Sequence, residues 1–198
     1  EQREPTASYL ATLQIGRYAE VSMDAGGRLL AYAVPGLEDK VRTAFARQGD
    51  MAEIFERCYG PYPFDAYKVV VVNDVLEIPL EAQGLSIFGL NHLSHSWEAQ
   101  RLIAHEFAHQ WFGNSLTPDR WKDIWVNEGF ACFSEWVYSD AAGIMSLTKR
   151  ARQAWQLLDV LEQDLLVGDP GPAALFDDRV YKRGALVLYA LYVRMGED

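Results

Sequence analysis

Two histidines four positions apart, His105 and His109, constrain the fold of this chain more than any other feature of its sequence. Residues at this spacing lie on one face of an α-helix, so both imidazoles can bind one ion if the segment is helical. Glu106 follows the first histidine, and Glu128 lies further along the chain. Two neutral imidazoles and one carboxylate suit zinc and leave a fourth position for water, as in a catalytic site. The pattern therefore predicts a zinc-binding helix that carries a free carboxylate beside the metal.

The residues around the histidines predict the limits of two helices. Ser94 or Ser96 is suited to cap the first helix, and Gly113 is suited to end it. Its apolar face consists of Leu102, Ile103, Phe107, Ala108, Trp111 and Phe112. A second helix is predicted over about 123–141, with Glu128 near its start. The alternative is a chance match on an ordinary amphipathic helix, and these surroundings favour the metal site.

A longer stretch, residues 105–136, resembles a known family of enzymes. Its sequence is HEFAHQWFGNSLTPDRWKDIWVNEGFACFSEW. The segments WFGN and W-x-D-x-W-x-N-E-G-F-A are much more specific than H-E-x-x-H alone. They resemble the zinc aminopeptidases of the membrane alanyl aminopeptidase and leukotriene-A hydrolase family, gluzincins whose third ligand is a Glu from a second helix. The resemblance, which extends more weakly from about Tyr9 to Gly196, implies one zinc per chain held by His105, His109 and Glu128.

The resemblance also implies a substrate-binding segment before the zinc helix. The family has G-x-M-E-N there, and its Glu holds the free α-amino group of the substrate. The matching residues are Ile78-Pro79-Leu80-Glu81-Ala82-Gln83-Gly84-Leu85, closer to a G-A-L-E-T-Q variant. Glu81 therefore inherits the role of amine anchor, with Gln83 and Gly84 beside it, while Pro79 has no N–H to offer a substrate strand. The alternative for Glu81 is a solvated carboxylate on an edge strand.

A second family motif, Tyr-x-x-Gly, matches Tyr181 to Gly184. In the family the Tyr hydroxyl stabilises the tetrahedral intermediate, and the alternative is a tyrosine on a helix surface. Zinc lowers the pKa of a bound water to about 7, and Glu106, which is not needed as a ligand, is suited to move its proton. Glu135 and Asp123 are candidates to hydrogen-bond the ligating imidazoles, or else they are ordinary surface acids.

Composition narrows the classes of partner. A net charge of −10 argues against a nucleic-acid partner, and no stretch is long and apolar enough to span a membrane. Its two cysteines, Cys58 and Cys132, form no disulfide framework, and Cys132 is expected in the core. Cytoplasmic and secreted locations both remain open.

The pattern along the chain predicts an α+β fold, a small mixed sheet followed by a mostly helical part, as in the thermolysin-like domain of the family. Short strands are expected within 8–34, at 67–72, at 78–82 and at 85–89, with a helix at 38–58 and helices after 95. The resemblance assigns 1–20 to the tail of a preceding β domain and 21–198 to a catalytic domain truncated at its C-terminus. It implies further N- and C-terminal domains of the same protein.

Three functions remain open at this point. The leading hypothesis is a zinc aminopeptidase that acts on peptides with a free N-terminus. The second is another hydrolase on the same scaffold, either an epoxide hydrolase or an endopeptidase, and the presence of Glu81 favours the first over it. The third is a non-catalytic scaffold, but such relatives tend to lose zinc ligands, which this chain retains.

Overall fold

The computed structural model describes residues 4–196, and their α+β fold confirms the predicted class. The chain divides into two compact units, Glu1–Ser115 and Leu116–Asp198. The elements of the first unit are β1 (Ala19–Ser22), β2 (Leu29–Ala33), α1 (Glu38–Ala44), α2 (Gln48–Tyr59), β3 (Tyr67–Val71), β4 (Leu85–Phe88) and α3 (Trp97–Ala108). Those of the second unit are α4 (Trp125–Ala141), α5 (Leu147–Asp159) and α6 (Asp178–Met195). Short 3₁₀ helices lie at Ser8–Leu10, Leu90–His92 and Trp121–Asp123.

The sheet of the first unit is mixed, in the order β1-β2-β3-β4. β1 pairs with β2 antiparallel, whereas β3 pairs in parallel with both β2 and β4. Val69, at the centre of β3, lies opposite Ala31 on one side and Ser86 on the other. β3 is the apolar, β-branched run predicted as a central strand, and such side chains pack well on a pleated surface with neighbours on both edges.

The predicted single helix over 38–58 is instead two helices. The chain turns at residues 45–47, where the N–H of Gln48 donates to the carbonyl of Phe45 (3.0 Å). Phe45 is buried just after α1, and its ring lies edge-on to Phe88 of β4 at a centroid distance of 5.1 Å. The break therefore places an aromatic ring in the core, a tertiary contact that helical periodicity does not reveal.

One predicted strand is wrong for a local reason. Within 78–82, only Leu80 forms a β-bridge, an isolated one with Ile87. Pro79 has no N–H to extend this pairing, and the chain turns directly after Ala82. The short strands expected within 8–34 form as β1 and β2, and the segment before β1 contains a 3₁₀ turn in which the N–H of Leu10 donates to the carbonyl of Ala7 (3.0 Å).

An aromatic cluster holds α3 within the first unit. Phe107 of α3 lies 4.5 Å from the ring of Tyr67 and 5.8 Å from that of Tyr62, measured between centroids. Trp111 packs edge-on against Tyr62 at 5.4 Å, and its indole N–H donates to the carbonyl of Gly60 (3.1 Å). Such pairs add roughly 0.5–1.5 kcal/mol each beyond the area they bury. The histidine-bearing helix therefore has a firmly fixed apolar face.

In the second unit, α4 and α6 meet at two glycines. A Cβ added at Gly129 would lie only 2.9 Å from the Cα of Gly184, so the two backbones approach too closely for any side chain. Beside this contact is a hydrophobic cluster made of Cys132, Phe133, Trp136, Leu147, Ala151, Ala154, Ala185 and Leu188. Cys132 is thus a core residue, as expected. Among residues 4–196, no helix combines the length and the apolar character that a membrane span requires.

Candidate metal centre and active site

α3 begins and ends close to the limits predicted for it. The hydroxyl of Ser96 accepts from the N–H of Ala99 (3.3 Å), so Ser96 rather than Ser94 is the cap. The helix ends at Ala108, before the predicted Gly113, but His109 retains a right-handed helical backbone (φ −57°, ψ −21°). Both histidines therefore keep the one-turn spacing that their shared face requires.

The two histidine rings lie together and are nearly enclosed by protein. The centroids of His105 and His109 are 4.8 Å apart, and the residues are 7% and 2% exposed. Nδ1 of His109 lies 3.0 Å from the carbonyl oxygen of Phe112. Because a carbonyl only accepts, this contact assigns the proton to Nδ1 and leaves the lone pair of Nε2 for a metal.

Glu128 supplies the third donor of the set predicted from the sequence. It lies in the first turn of α4, where a negative charge is favourable, and only 4% of the residue is exposed. The candidate ligand atoms are therefore the ring nitrogens of His105 and His109 in the first unit and the carboxylate of Glu128 in the second. Two imidazoles and a carboxylate are a donor set that fits zinc. That these three residues bind a metal remains a prediction.

Glu106 is buried in α3, next to a tyrosine that the sequence did not single out. The phenol of Tyr67 donates to the hydroxyl of Ser86 (2.7 Å). Burial raises the pKa of Tyr67 well above its usual range; the bond to Ser86 opposes this shift, and the negative charge of Glu106 adds to it. Tyr67 is therefore a neutral neighbour of Glu106. Its position in an apolar strand gave no sign of this contact.

The segment predicted to bind substrate is a loop that ends in a tight turn. The N–H of Leu85 donates to the carbonyl of Ala82 (3.0 Å), and Gly84 has a positive φ of 68°. A positive φ at the third position fits a type II turn, which favours glycine there. Glu81, Gln83 and Gly84 are all half-buried. Two polar residues that sequence reasoning missed, Gln110 and Asn114, hydrogen-bond to this loop.

Tyr181 lies in the first turn of α6, the helix of the second unit that Asp177 caps. Asp177 accepts from the backbone N–H of Arg179 (2.9 Å) and from its guanidinium. These hydrogen bonds with Arg179 lower the pKa of Asp177 to about 2. Tyr181 is half-buried and packs against the hydrophobic clusters of its own unit. Its catalytic role remains a prediction.

The two candidates for bonding the imidazoles differ in burial. Glu135 is buried in α4, two turns after Glu128, whereas Asp123 is half-buried in the 3₁₀ turn before that helix. Burial without a partner is costly for a carboxylate, so Glu135 is the stronger candidate. The role stays a prediction for both residues.

Similar proteins span nearly all of this chain. Endoplasmic reticulum aminopeptidase 1 of Mus musculus is 29% identical over 97% of it, but this chain spans only 23% of that relative. A variant of the M1 zinc metallopeptidase of Deinococcus radiodurans, solved with a Tyr-Ser-Ala substrate, has a TM-score of 0.75 at 28% identity, covering 91% of this chain and 40% of that one. Native leukotriene A4 hydrolase of Saccharomyces cerevisiae has a TM-score of 0.75 at 20% identity over 90% of this chain and 31% of its own, a likeness of fold alone.

These relatives agree with the family and the fold that the sequence predicted, and the metal named for the bacterial enzyme is the predicted one. Residues 44–198 match the family model described as "Peptidase family M1 domain". That match covers most of the chain and includes the histidine pair, Glu128 and Tyr181. The chain therefore belongs to peptidase family M1.

Proposed function

We propose that the protein containing this chain is a zinc-dependent aminopeptidase, which hydrolyses the N-terminal peptide bond of peptides with a free amino terminus. The observation that carries the proposal is the match to peptidase family M1, which includes His105, His109 and Glu128. The mouse relative is named an aminopeptidase, and the bacterial relative was solved with a three-residue substrate. Both names support a peptidase over the epoxide hydrolase alternative.

In this proposal His105, His109 and Glu128 hold one zinc ion per chain. When bound, zinc lowers the pKa of a water molecule to about 7 and polarises the scissile carbonyl. The hydrogen bond from Nδ1 of His109 to Phe112 supports the assignment, because a second partner fixes the orientation and tautomer of a ligating imidazole.

Glu106 acts as the general base and then as the general acid. It takes a proton from the attacking water and gives it to the departing amine. Without that proton the amine would have to leave as an anion, which is a poor leaving group. Its burial beside His105, in a helix fixed by aromatic packing, supports this role.

Tyr181 and Glu81 act on the substrate itself. The phenol of Tyr181 donates a hydrogen bond to the carbonyl oxygen as that oxygen gains negative charge. The carboxylate of Glu81 binds the α-ammonium group, with Gln83 and Gly84 at the same subsite, because a cationic amine that leaves water needs a charged partner. Both side chains are half-buried and lie on firmly bonded segments, which supports a positioning role for each segment.

The test compares two forms of one substrate on the full-length protein. An aminoacyl-anilide with a free amino group should be hydrolysed, and its N-acetyl form should not. A chelator should abolish the activity, and added zinc should restore it. Equal rates on both forms would contradict the aminopeptidase assignment and favour an endopeptidase. A protein that binds no zinc would instead be the non-catalytic scaffold.

A further inference from the structure

We propose that Gln110 and Asn114 are positioning residues that fix the loop carrying Glu81 to the end of the zinc helix. The proposal rests on the proposed function, in which Glu81 binds the substrate amine. It adds that two side chains, neither of which contacts the metal or the substrate, set the position of the carboxylate that binds the amine. All the contacts that support it lie within the first unit.

Both polar atoms of the Gln110 carboxamide form hydrogen bonds with this loop or with the helix beside it. Its side chain is fully buried (0% exposed) directly after the last turn of α3. Its Oε1 accepts from the N–H of Gly84 (2.7 Å). Its Nε2 donates to the carbonyls of Ala82 and of Glu106, each at 3.4 Å. One side chain therefore links the turn of the loop to the backbone of the proposed general base.

Asn114 holds the loop at the residue that matters for recognition. Its Nδ2 donates to the backbone carbonyl of Glu81 (2.7 Å). Its own backbone carbonyl accepts from Nε2 of Gln83 (3.1 Å). Asn114 thus holds the backbone of Glu81 by a short hydrogen bond, and it also binds the side chain of Gln83.

β3 fixes the loop from the other direction. The N–H of Lys68 donates to the carbonyl of Gly84 (2.9 Å), and the turn is closed by Leu85. Within residues 4–196, no protein group forms a hydrogen bond or ion pair with the carboxylate of Glu81. Hydrogen bonds therefore hold the backbone of the loop from two sides, while its charged side chain is left for a cation. That combination is what a preorganised amine subsite requires.

The expected consequence is a specific loss of amine recognition. Replacing Gln110 by Leu keeps the volume but leaves the N–H of Gly84 without its partner, and the carbonyl of Ala82 keeps only its bond from the N–H of Leu85. The loop then shifts to find other partners, and a shift of about 1 Å is enough to weaken an oriented contact by tenfold or more. Zinc binding uses other atoms and should not change.

The experiment measures competitive inhibition of the full-length enzyme by two ligands, phenylalaninamide and its des-amino analogue. In Gln110→Leu, Ki for phenylalaninamide should rise about tenfold, while Ki for the des-amino analogue and the zinc content stay the same. Asn114→Ala, which removes the bond to Glu81, should shift Ki in the same direction. This second variant keeps the test decisive if Gln110→Leu does not fold.

The matched control is Gln100→Leu, the same change at a buried glutamine within α3. Gln100 is also buried, but its Nε2 donates to the carbonyls of Ala44 and Ser94, away from the loop. It should not alter the ratio of the two Ki values. An equal loss in Gln100→Leu, or an unchanged ratio in the folded Gln110 and Asn114 variants, would overturn the positioning role. A wild-type enzyme that does not distinguish the two ligands would instead refute the amine anchor itself.

Discussion

His109 presents a single ring nitrogen to a metal, because Phe112 holds the other. We therefore expect His109→Ala to abolish tight zinc binding, since Glu128 and one imidazole do not hold the ion alone. Metal analysis after dialysis measures the effect. His95→Ala, at an exposed position outside the group, is the control and should keep one zinc per chain. Stoichiometric zinc of unchanged affinity in His109→Ala would show that the ligand assignment is wrong.

Two substitutions separate metal binding from chemistry. Glu106→Gln keeps the shape of the side chain but removes the base, so kcat should fall by about 10²-fold or more while zinc remains bound.

Tyr181→Phe should also retain zinc and should lower kcat more than it raises KM, because it removes a donor used in the transition state. Steady-state kinetics of the full-length protein test both. An unchanged kcat in Tyr181→Phe would remove this residue from the mechanism.

At the scale of residues, the sequence predicted what depends on spacing along the chain. The one-turn separation of His105 and His109 requires a helix, and a helix is what forms. Gln110 and Tyr67 were missed for a different reason. Their contacts join segments far apart in sequence, and neither residue type identifies its partner before the chain is folded.

The crossing of α4 and α6 depends on two glycines that leave no room for a methyl group. We expect Gly129→Ala to destabilise the chain by about 1–3 kcal/mol, because the new Cβ meets the backbone at Gly184. Urea denaturation of the zinc-loaded protein measures the change. Gly49→Ala is the control, since a Cβ there meets nothing within 4 Å and a helical alanine is favoured over glycine. Equal stability of the Gly129 and Gly49 variants would contradict this account of the crossing.

Asp177 at the start of α6 should make the stability of the fold depend on pH in the acid range. Its folded pKa of about 2 is below the ordinary value of about 3.9, so the carboxylate stabilises the fold above about pH 4. This contribution is lost as the pH falls from about 4 to 2. Carbon-detected NMR titration should show the low pKa, and Arg179→Ala should raise it towards the ordinary value. An unchanged pKa in Arg179→Ala would show that the guanidinium is not the cause.

Element limits were predictable where a local signal sets them. The serine cap of α3 agrees with its signal. The break within 38–58 does not have such a signal, because the burial of Phe45 against Phe88 decides it. The expected strand at 78–82 does not form, because Pro79 lacks the N–H that extended pairing needs, and only the isolated bridge of Leu80 with Ile87 remains.

On the scale of the whole molecule, this chain spans only 23% of its mouse relative. The resemblance assigns a further amine-binding group to a preceding domain and a roof over the cleft to a following one, and the boundary at residue 20 remains a prediction. We therefore expect the 198-residue chain alone to fold and bind zinc but to have a far lower kcat/KM than the full-length enzyme. Equal values on aminoacyl-anilides, both proteins loaded with zinc, would show that the other domains are dispensable.

The close approach of Gly129 and Gly184 also bears on how descendants of such an enzyme diverge. Both glycines fall inside sequence motifs that identify the family, yet the reason for them is steric. Evolution can remove His105 or Tyr181 without disturbing this crossing of helices. A lineage that abandoned hydrolysis would therefore keep the two glycines for as long as it kept the fold. In genomes, these glycines report shared ancestry, and the histidines report whether the chemistry was inherited with it.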